Sequence, residues 1–199
     1  MKKCYFLIVL MITSFLSHSQ NSSDINEEKL LINTSNSELK WIGEYAFYFG
    51  GHDGVISFKQ GYLLKRNGAI SGGEFIIDMH SIQSLDMDNK EARKDLDNHL
   101  KNEDFFDVEK FPTAKLVITS VAYDDNRHVR VTADLTIKDV TLPINFHADL
   151  DYQKEQLKTR FKIDRTLWGV TYNSKEVEGK LKDGLISDAI GFEVLISLK

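Results

Sequence analysis

Cysteine is almost missing from this chain: of 199 residues, only Cys4 carries a thiol. There is no partner for a disulfide, and beyond position 4 no cysteine nucleophile and no thiolate metal ligand, so the fold must rest on its core. Proline is nearly as scarce, at positions 112 and 143 only. A basic excess is missing too: 25 Lys and Arg face 30 Asp and Glu, a net charge of −5, and the lysines form no block. Such a chain is poorly suited to a phosphate backbone or an anionic membrane surface, so nucleic acid is excluded as a partner. No serine lies in a Gly-x-Ser-x-Gly elbow. Nor does any histidine pair have metal-ligand spacing, and Asp86-x-Asp88 lacks the third oxygen ligand and the glycine of a calcium loop. No catalytic residue, cofactor or metal site is therefore assigned.

The one long apolar run, Cys4 to Leu16, is too short to read as a membrane span. Lys2 and Lys3 precede it and Ser17-His18-Ser19-Gln20 follows. That order predicts a secretory signal peptide over residues 1–19, cleaved after Ser19, and a periplasmic or secreted bacterial protein. Cys4 leaves with the peptide, so no stable membrane anchor is expected. Residues 20–37, rich in Ser, Asn, Asp and Glu, read as a flexible lead-in. Residues 38–199 read as one domain, with no internal repeat.

From Leu39 onward the dominant signal has a period of two. Val129, Val131, Ala133, Leu135 and Ile137 alternate with polar neighbours. Leu142, Ile144, Phe146, Ala148 and Leu150 do the same, as do Leu157, Phe161 and Ile163, and near the end Ile190, Phe192, Val194 and Ile196. Trp41, Tyr45, Phe47 and Phe49 share a parity at the start. Alternation of this kind puts one strand face in a core and the other in water. Turn signals at Gly50-Gly51, Asn67-Gly68, 124–126, Lys138-Asp139 and Asp183-Gly184 separate the runs. The result is an all-β antiparallel meander of about eight strands, a sandwich or a barrel. Residues 88–101 break the pattern. Asp88 can cap with Glu91, and Ala92, Leu96 and Leu100 recur every fourth residue, which predicts one short inserted α-helix. An eight-stranded barrel can be filled by its own side chains or can hold one small ligand, and alternation does not separate the two.

The segment 97–113 is unusual in placing Phe105, Phe106 and Phe111 within seven residues. Taken with the strand blocks, it carries a family resemblance. The pieces are Leu39-Lys40-Trp41-Ile42-Gly43, Gly51-His52-Asp53-Gly54 with Gly61, and Gly72-Gly73-Glu74-Phe75-Ile76-Ile77-Asp78. They continue with His99-Leu100-Lys101 through Asp104-Phe105-Phe106-Asp107 to Phe111-Pro112-Thr113, then Ala133-Asp134-Leu135-Thr136-Ile137, and Asp164-Arg165-Thr166-Leu167-Trp168-Gly169. In this order they resemble the YceI-like family of bacterial lipid- and polyisoprenoid-binding proteins. The resemblance implies a lipocalin-like eight-stranded antiparallel β-barrel with a short inserted helix. It also implies a long-chain lipid, isoprenoid or quinone-like ligand in an apolar interior.

The interior candidates are Trp41, Tyr45, Phe47, Phe105, Val129, Val131, Leu135, Ile144, Phe146, Phe161 and Phe192. Arg165 is the candidate for a polar headgroup, since a guanidinium fork suits phosphate or carboxylate. Phe106 and Phe111 read as structural, locking the helix to the barrel. A tail of roughly ten methylenes would gain about 8 kcal/mol on burial, before ordering costs, without any catalytic group. The expected function is thus a non-catalytic carrier. The alternatives are an envelope interaction module with a filled barrel, or an enzyme acting on a lipid-like substrate. A homodimer is left open.

Overall fold

The computed structural model describes residues 26–174 and 185–199, so the expected signal peptide and the Asp183-Gly184 turn lie outside the described residues. The elements run β1 (Glu27–Leu31), β2 (Glu38–Tyr45), β3 (Gly51–Arg66), β4 (Ala69–Ser84), α1 (Lys90–Lys101), β5 (Thr113–Tyr123), β6 (His128–Ile137), β7 (Val140–Asp151) and β8 (Gln156–Asp164). A single 3-10 turn, Arg165–Trp168, follows β8, and β9 (Ile186–Ser197) ends the sheet.

Every strand pairs antiparallel with its neighbours, and a β3–β4 pairing closes the sheet on itself. Nine strands fill eight positions. β2 pairs with Gly51–Val55 at one end of β3, and β1 pairs with Tyr62–Arg66 at the other, so the two share one slot. Beyond β1, Ile32 bridges Leu198 and Asn33 donates to the Ser197 carbonyl, which ties this slot to β9. Closure leaves no long free edge among the described residues, which is how such a sheet avoids pairing with other chains.

From Glu27 to Ile32 this corrects the flexible lead-in expected over residues 20–37, whose first residues lie outside the described ones. Glu27–Leu31 enter the sheet as β1, residues 33–37 turn into β2, and Ile32 is only 1% exposed in the barrel core. Gly61 makes room for it, because a Cβ there would stand 3.0 Å from Ile32 and 2.7 Å from Phe75. The apolar signal of β1 is only Leu30, Leu31 and Ile32 after a polar run, too short to show a period.

Two hairpins turn on two residues each. Asn67 and Gly68 have φ of 50° and 88°, and Lys138 and Asp139 have 48° and 60°. Two successive left-handed residues match the right-handed strand twist. At the second hairpin Lys138 also donates from Nζ to the Phe105 carbonyl at 2.9 Å, so the turn holds the segment after α1. The register of β4 against β3 slips between Val55 and Ser57. Inward positions therefore change from Phe75, Ile77 and Met79 to Ile82 and Ser84, the expected result of a bulge.

The barrel has two unlike halves. At the end formed by the C-termini of β3, β5, β7 and β9 and the opposed strand starts, buried Val129, Val131, Phe146, Ala148, Leu157 and Ile196 fill the interior. At the other end, under α1, the interior is open.

Candidate ligand-binding site

Helix α1 covers the open end. Its cap is Asn89, whose side-chain oxygen accepts from the Glu91 and Ala92 amides at 2.9 and 3.1 Å. The cap thus falls one residue after Asp88, and the asparagine amide replaces the expected aspartate. Leu96 and Leu100 face the barrel. The chain after the helix folds tightly: the Asn102 carbonyl accepts from the Phe105 and Asp107 amides, and Asp107 adopts a φ of 48°. The turn sends Phe105 and Phe106 back under α1. Phe105 packs against His99 and Tyr172, each with ring centroids 5.1 Å away.

Beneath lies a cavity of about 180 Å³. Leu39 and Trp41 of β2, Ile77 and Met79 of β4 and Leu116 of β5 form its wall. Phe161 and Phe192 form the floor, with centroids 5.4 Å apart, and Phe146 stacks under Phe161 at 4.9 Å. The volume falls in the class of a roughly 150 Å³ engineered apolar cavity that stays dry and binds benzene. Polar groups gather at the mouth. His52 Nδ1 lies 2.9 Å from an Asp86 oxygen, and His52 Nε2 lies 3.4 Å from the Tyr45 hydroxyl. Glu44 pairs with Lys162 at 3.2 Å. One polar atom sits in the wall itself: Trp41 Nε1 is buried and has no hydrogen-bond partner among the described residues.

Six of the eleven interior candidates line this cavity: Trp41, Tyr45, Phe105, Leu135, Phe161 and Phe192. Val129, Val131 and Phe146 do point inward, but they belong to the filled half below the floor. Ile144 is half-buried against the same core. Phe47 does not share their face, because β2 ends at Tyr45 and Phe47 lies exposed in the following bend with Tyr48 and Phe49.

Arg165, the headgroup candidate, also borders the cavity, but its guanidinium is taken up by the main chain. Its side chain is 1% exposed, and its guanidinium donates to the carbonyls of Ser187 (3.0 Å), Val170 (2.7 Å) and Ile186 (3.4 Å). Asp188 stands 3.7 Å away. Burial pulls the guanidinium below its ordinary pKa, against the opposing charges of Asp188 and Asp164. The Asp-Arg motif thus ties the 3-10 turn to β9: Asp164 caps the turn, and Gly169 ends it at a φ of 74°. Trp168 completes the tie by donating from Nε1 to the Leu135 carbonyl at 3.0 Å.

Sequence reading missed Ile77, Met79 and Leu116. The β4 signal was present in Phe75, Ile77 and Met79, but Ile76 on the opposite face blurs it. Leu96 and Leu100 were legible as a helix stripe but not as a cavity roof. Among the described residues, no group of three or more His, Cys, Asp and Glu side chains converges on a common point.

A closed antiparallel barrel, filled at one end and hollow and apolar at the other, defines a lipocalin-like small-ligand barrel. The chain belongs to the YceI-like domain family, which it matches over residues 30–198. This barrel family is associated with binding hydrophobic ligands. Among curated relatives, a UPF0312 protein of Photorhabdus laumondii is 41% identical over 69 residues, 35% of this chain and 33% of that protein. A UPF0312 protein of Shewanella denitrificans is 33% identical over 100 residues, 50% of this chain and 46% of that one. Protein YceI of Escherichia coli O157:H7 is 31% identical over 102 residues, 51% of this chain and 47% of that one. The matched stretch therefore spans less than half the length of each of these relatives. Burkholderia cenocepacia BcnA shares the fold with a TM-score of 0.61 at 14% identity, over 83% of this chain and 98% of BcnA. A Campylobacter jejuni YCEI protein gives 0.51 at 16%, over 100% of this chain and 99% of that one.

Proposed function

We propose that this protein is an exported, non-catalytic carrier that holds the apolar tail of a long-chain isoprenoid or fatty-acyl amphiphile in its barrel. One observation supports this above the others: the cavity under α1 is walled almost entirely by aliphatic and aromatic side chains, whereas the second pocket, at the opposite end of the barrel, mixes Leu63, Ile70 and Leu157 with the charged Glu28, Lys65, Asp151 and Glu155. Each methylene buried there contributes about 0.8 kcal/mol. The cavity's volume suits a short apolar segment. A longer tail needs α1 to shift outward, and none of the residues of α1 is fully buried. Tyr45, His52 and Asp86 at the mouth offer hydrogen bonds to a polar head.

Native mass spectrometry of the purified protein, with organic extraction of what co-purifies, tests the reading directly. A long-chain amphiphile recovered intact, or taken up from added lipid, is expected. Ala114→Phe, which places a ring in the cavity wall, should cut uptake at least tenfold while leaving a folded barrel. A protein that carries and takes up no long-chain ligand, or that releases it chemically changed, refutes the carrier.

A further inference from the structure

The surface carries an asymmetry that the cavity alone does not explain. Ten large hydrophobic side chains are exposed among the described residues. Tyr45, Phe47, Tyr48 and Phe49 lie in or beside the loop joining β2 to β3, whose ends form one side of the cavity mouth. Leu85 follows β4 directly and donates its amide to the Asp53 carbonyl at the base of that loop. Leu167 sits in the turn after β8, beyond β9 from β2, and Val140 starts β7 at the same end. That makes seven of ten at the mouth end. Leu31, Tyr123 and Tyr152, in the other half of the barrel, are the remainder. Scattered exposed apolar residues are ordinary, but a cluster at one end marks a docking surface.

The cluster's base is anchored. Tyr45 donates its amide to the Gly50 carbonyl at 3.0 Å, and Ala46 donates to the Leu185 carbonyl at 3.0 Å. Gly50 closes the loop at a φ of 110°. Of the three consecutive aromatics in this loop, Phe49 is fully exposed and Phe47 and Tyr48 are exposed over about half their surface. Aromatic side chains favour the boundary between lipid and water. Beside the loop Glu44 pairs with Lys162 and His52 Nδ1 lies 2.9 Å from Asp86, α1 adds charges of both signs, and the chain as a whole is acidic at −5. Those features suit an uncharged lipid interface and oppose an anionic one.

We infer that the 46–50 loop, flanked by Leu85 and Leu167, docks the barrel mouth-down on a neutral lipid surface, so that a tail passes between bilayer and cavity without crossing water. The inference rests on the carrier reading above. It assigns the mouth end a partner, a zwitterionic bilayer face, and the loop a task, shallow insertion.

The test uses phosphatidylcholine vesicles. Phe49→Trp places a reporter at the loop tip, with the unaltered protein supplying the background of Trp41 and Trp168. Its emission should shift to the blue on vesicles and be quenched by acyl chains carrying bromine. Replacing Tyr48 and Phe49 together with serine should weaken vesicle binding about tenfold or more, while uptake of an apolar fluorescent probe in vesicle-free buffer stays unchanged. A Phe49→Trp signal indifferent to vesicles overturns the docking, as does vesicle binding indifferent to the double serine variant. A loop-dependent dimer that ignores vesicles also overturns it, and assigns the surface to a second copy. In all three cases probe uptake persists and the carrier reading stands. Loss of probe uptake by the unaltered protein defeats the carrier reading and, with it, the inference.

Discussion

Asp97 of α1 accepts two hydrogen bonds from Ser84 at the end of β4, one from its amide and one from its hydroxyl, both at 2.7 Å. Ser84 is fully buried, whereas no residue of α1 is. The helix over the cavity is therefore held by a polar clasp more than by an apolar face. Hydrogen bonds to a charged acceptor contribute about 1.5–3 kcal/mol, and removing the acceptor leaves a buried amide unpaired. Asp97→Ala should lower stability by about 2 kcal/mol in urea denaturation. It should also speed ligand exchange, since a tail that outgrows the cavity has to move this helix. Slower or unchanged exchange in a destabilised Asp97→Ala protein would show that ligands enter elsewhere.

Trp41 and Gly54 make a second pair. They face each other across β2 and β3, and a Cβ on Gly54 would stand 2.7 Å from the indole and 2.0 Å from the Gln83 carbonyl. The indole lies against β3 only because that position is bare. Gly54→Ala should cost about 1–3 kcal/mol, the usual cost of overpacking, and should disturb Trp41 emission. Ligand entry should alter the same emission, because Trp41 lines the cavity while Trp168 is buried and bonded to the Leu135 carbonyl. The ligand-dependent change should vanish in Trp41→Phe. A change that persists there would place the ligand away from this wall.

Much of the barrel was readable because its signals are local. β6 through β9 alternate cleanly, and the Lys138-Asp139 turn sits where the alternation breaks. Which inward residues meet a ligand was not readable, since Val131 and Leu135 share one parity on one strand. Val131 falls below the aromatic floor and Leu135 above it, and that level is set by the stacking of Phe146 on Phe161 across strands. Phe47 misled because it continues the parity of Trp41 and Tyr45 after the strand has ended. Arg165 misled because the three carbonyls that occupy it come from residues up to 22 positions away.

Arg165 supplies a third prediction. A headgroup ligand would need a free fork, and here the fork is spent on the main chain. Arg165→Lys keeps the charge but cannot match the fork, and should still destabilise the protein by about 2 kcal/mol, the scale of hydrogen bonds to a charged group. Arg165→Ala should cost about 3–5 kcal/mol by leaving Asp188 and the carbonyls unpaired. Both are read by denaturation. A Lys variant with unaltered stability but weakened ligand binding would restore the headgroup role.

Tyr123 gives the barrel a dependence on alkaline pH. Its hydroxyl accepts from the Ile70 amide at 2.6 Å and donates to the Ile70 carbonyl at 3.2 Å, clasping the end of β5 to the start of β4. Burial, and then the hydrogen bond and charge of Tyr152, push its pKa up to about 12 from 10.0. The fold thus favours the protonated phenol, and an unfolded tyrosine ionises first. The clasp's contribution is complete below pH 10.0 and is lost as pH rises through about 12. Lysines titrate in the same range, so the informative quantity is the difference between the protein and Tyr123→Phe. Tyrosinate absorbance should lose one late-titrating group in the variant. The stability gap between the two proteins should hold steady up to about pH 10 and close toward pH 12. A gap that stays constant across that range, or a late titration that survives in Tyr123→Phe, would assign the raised pKa to another tyrosine.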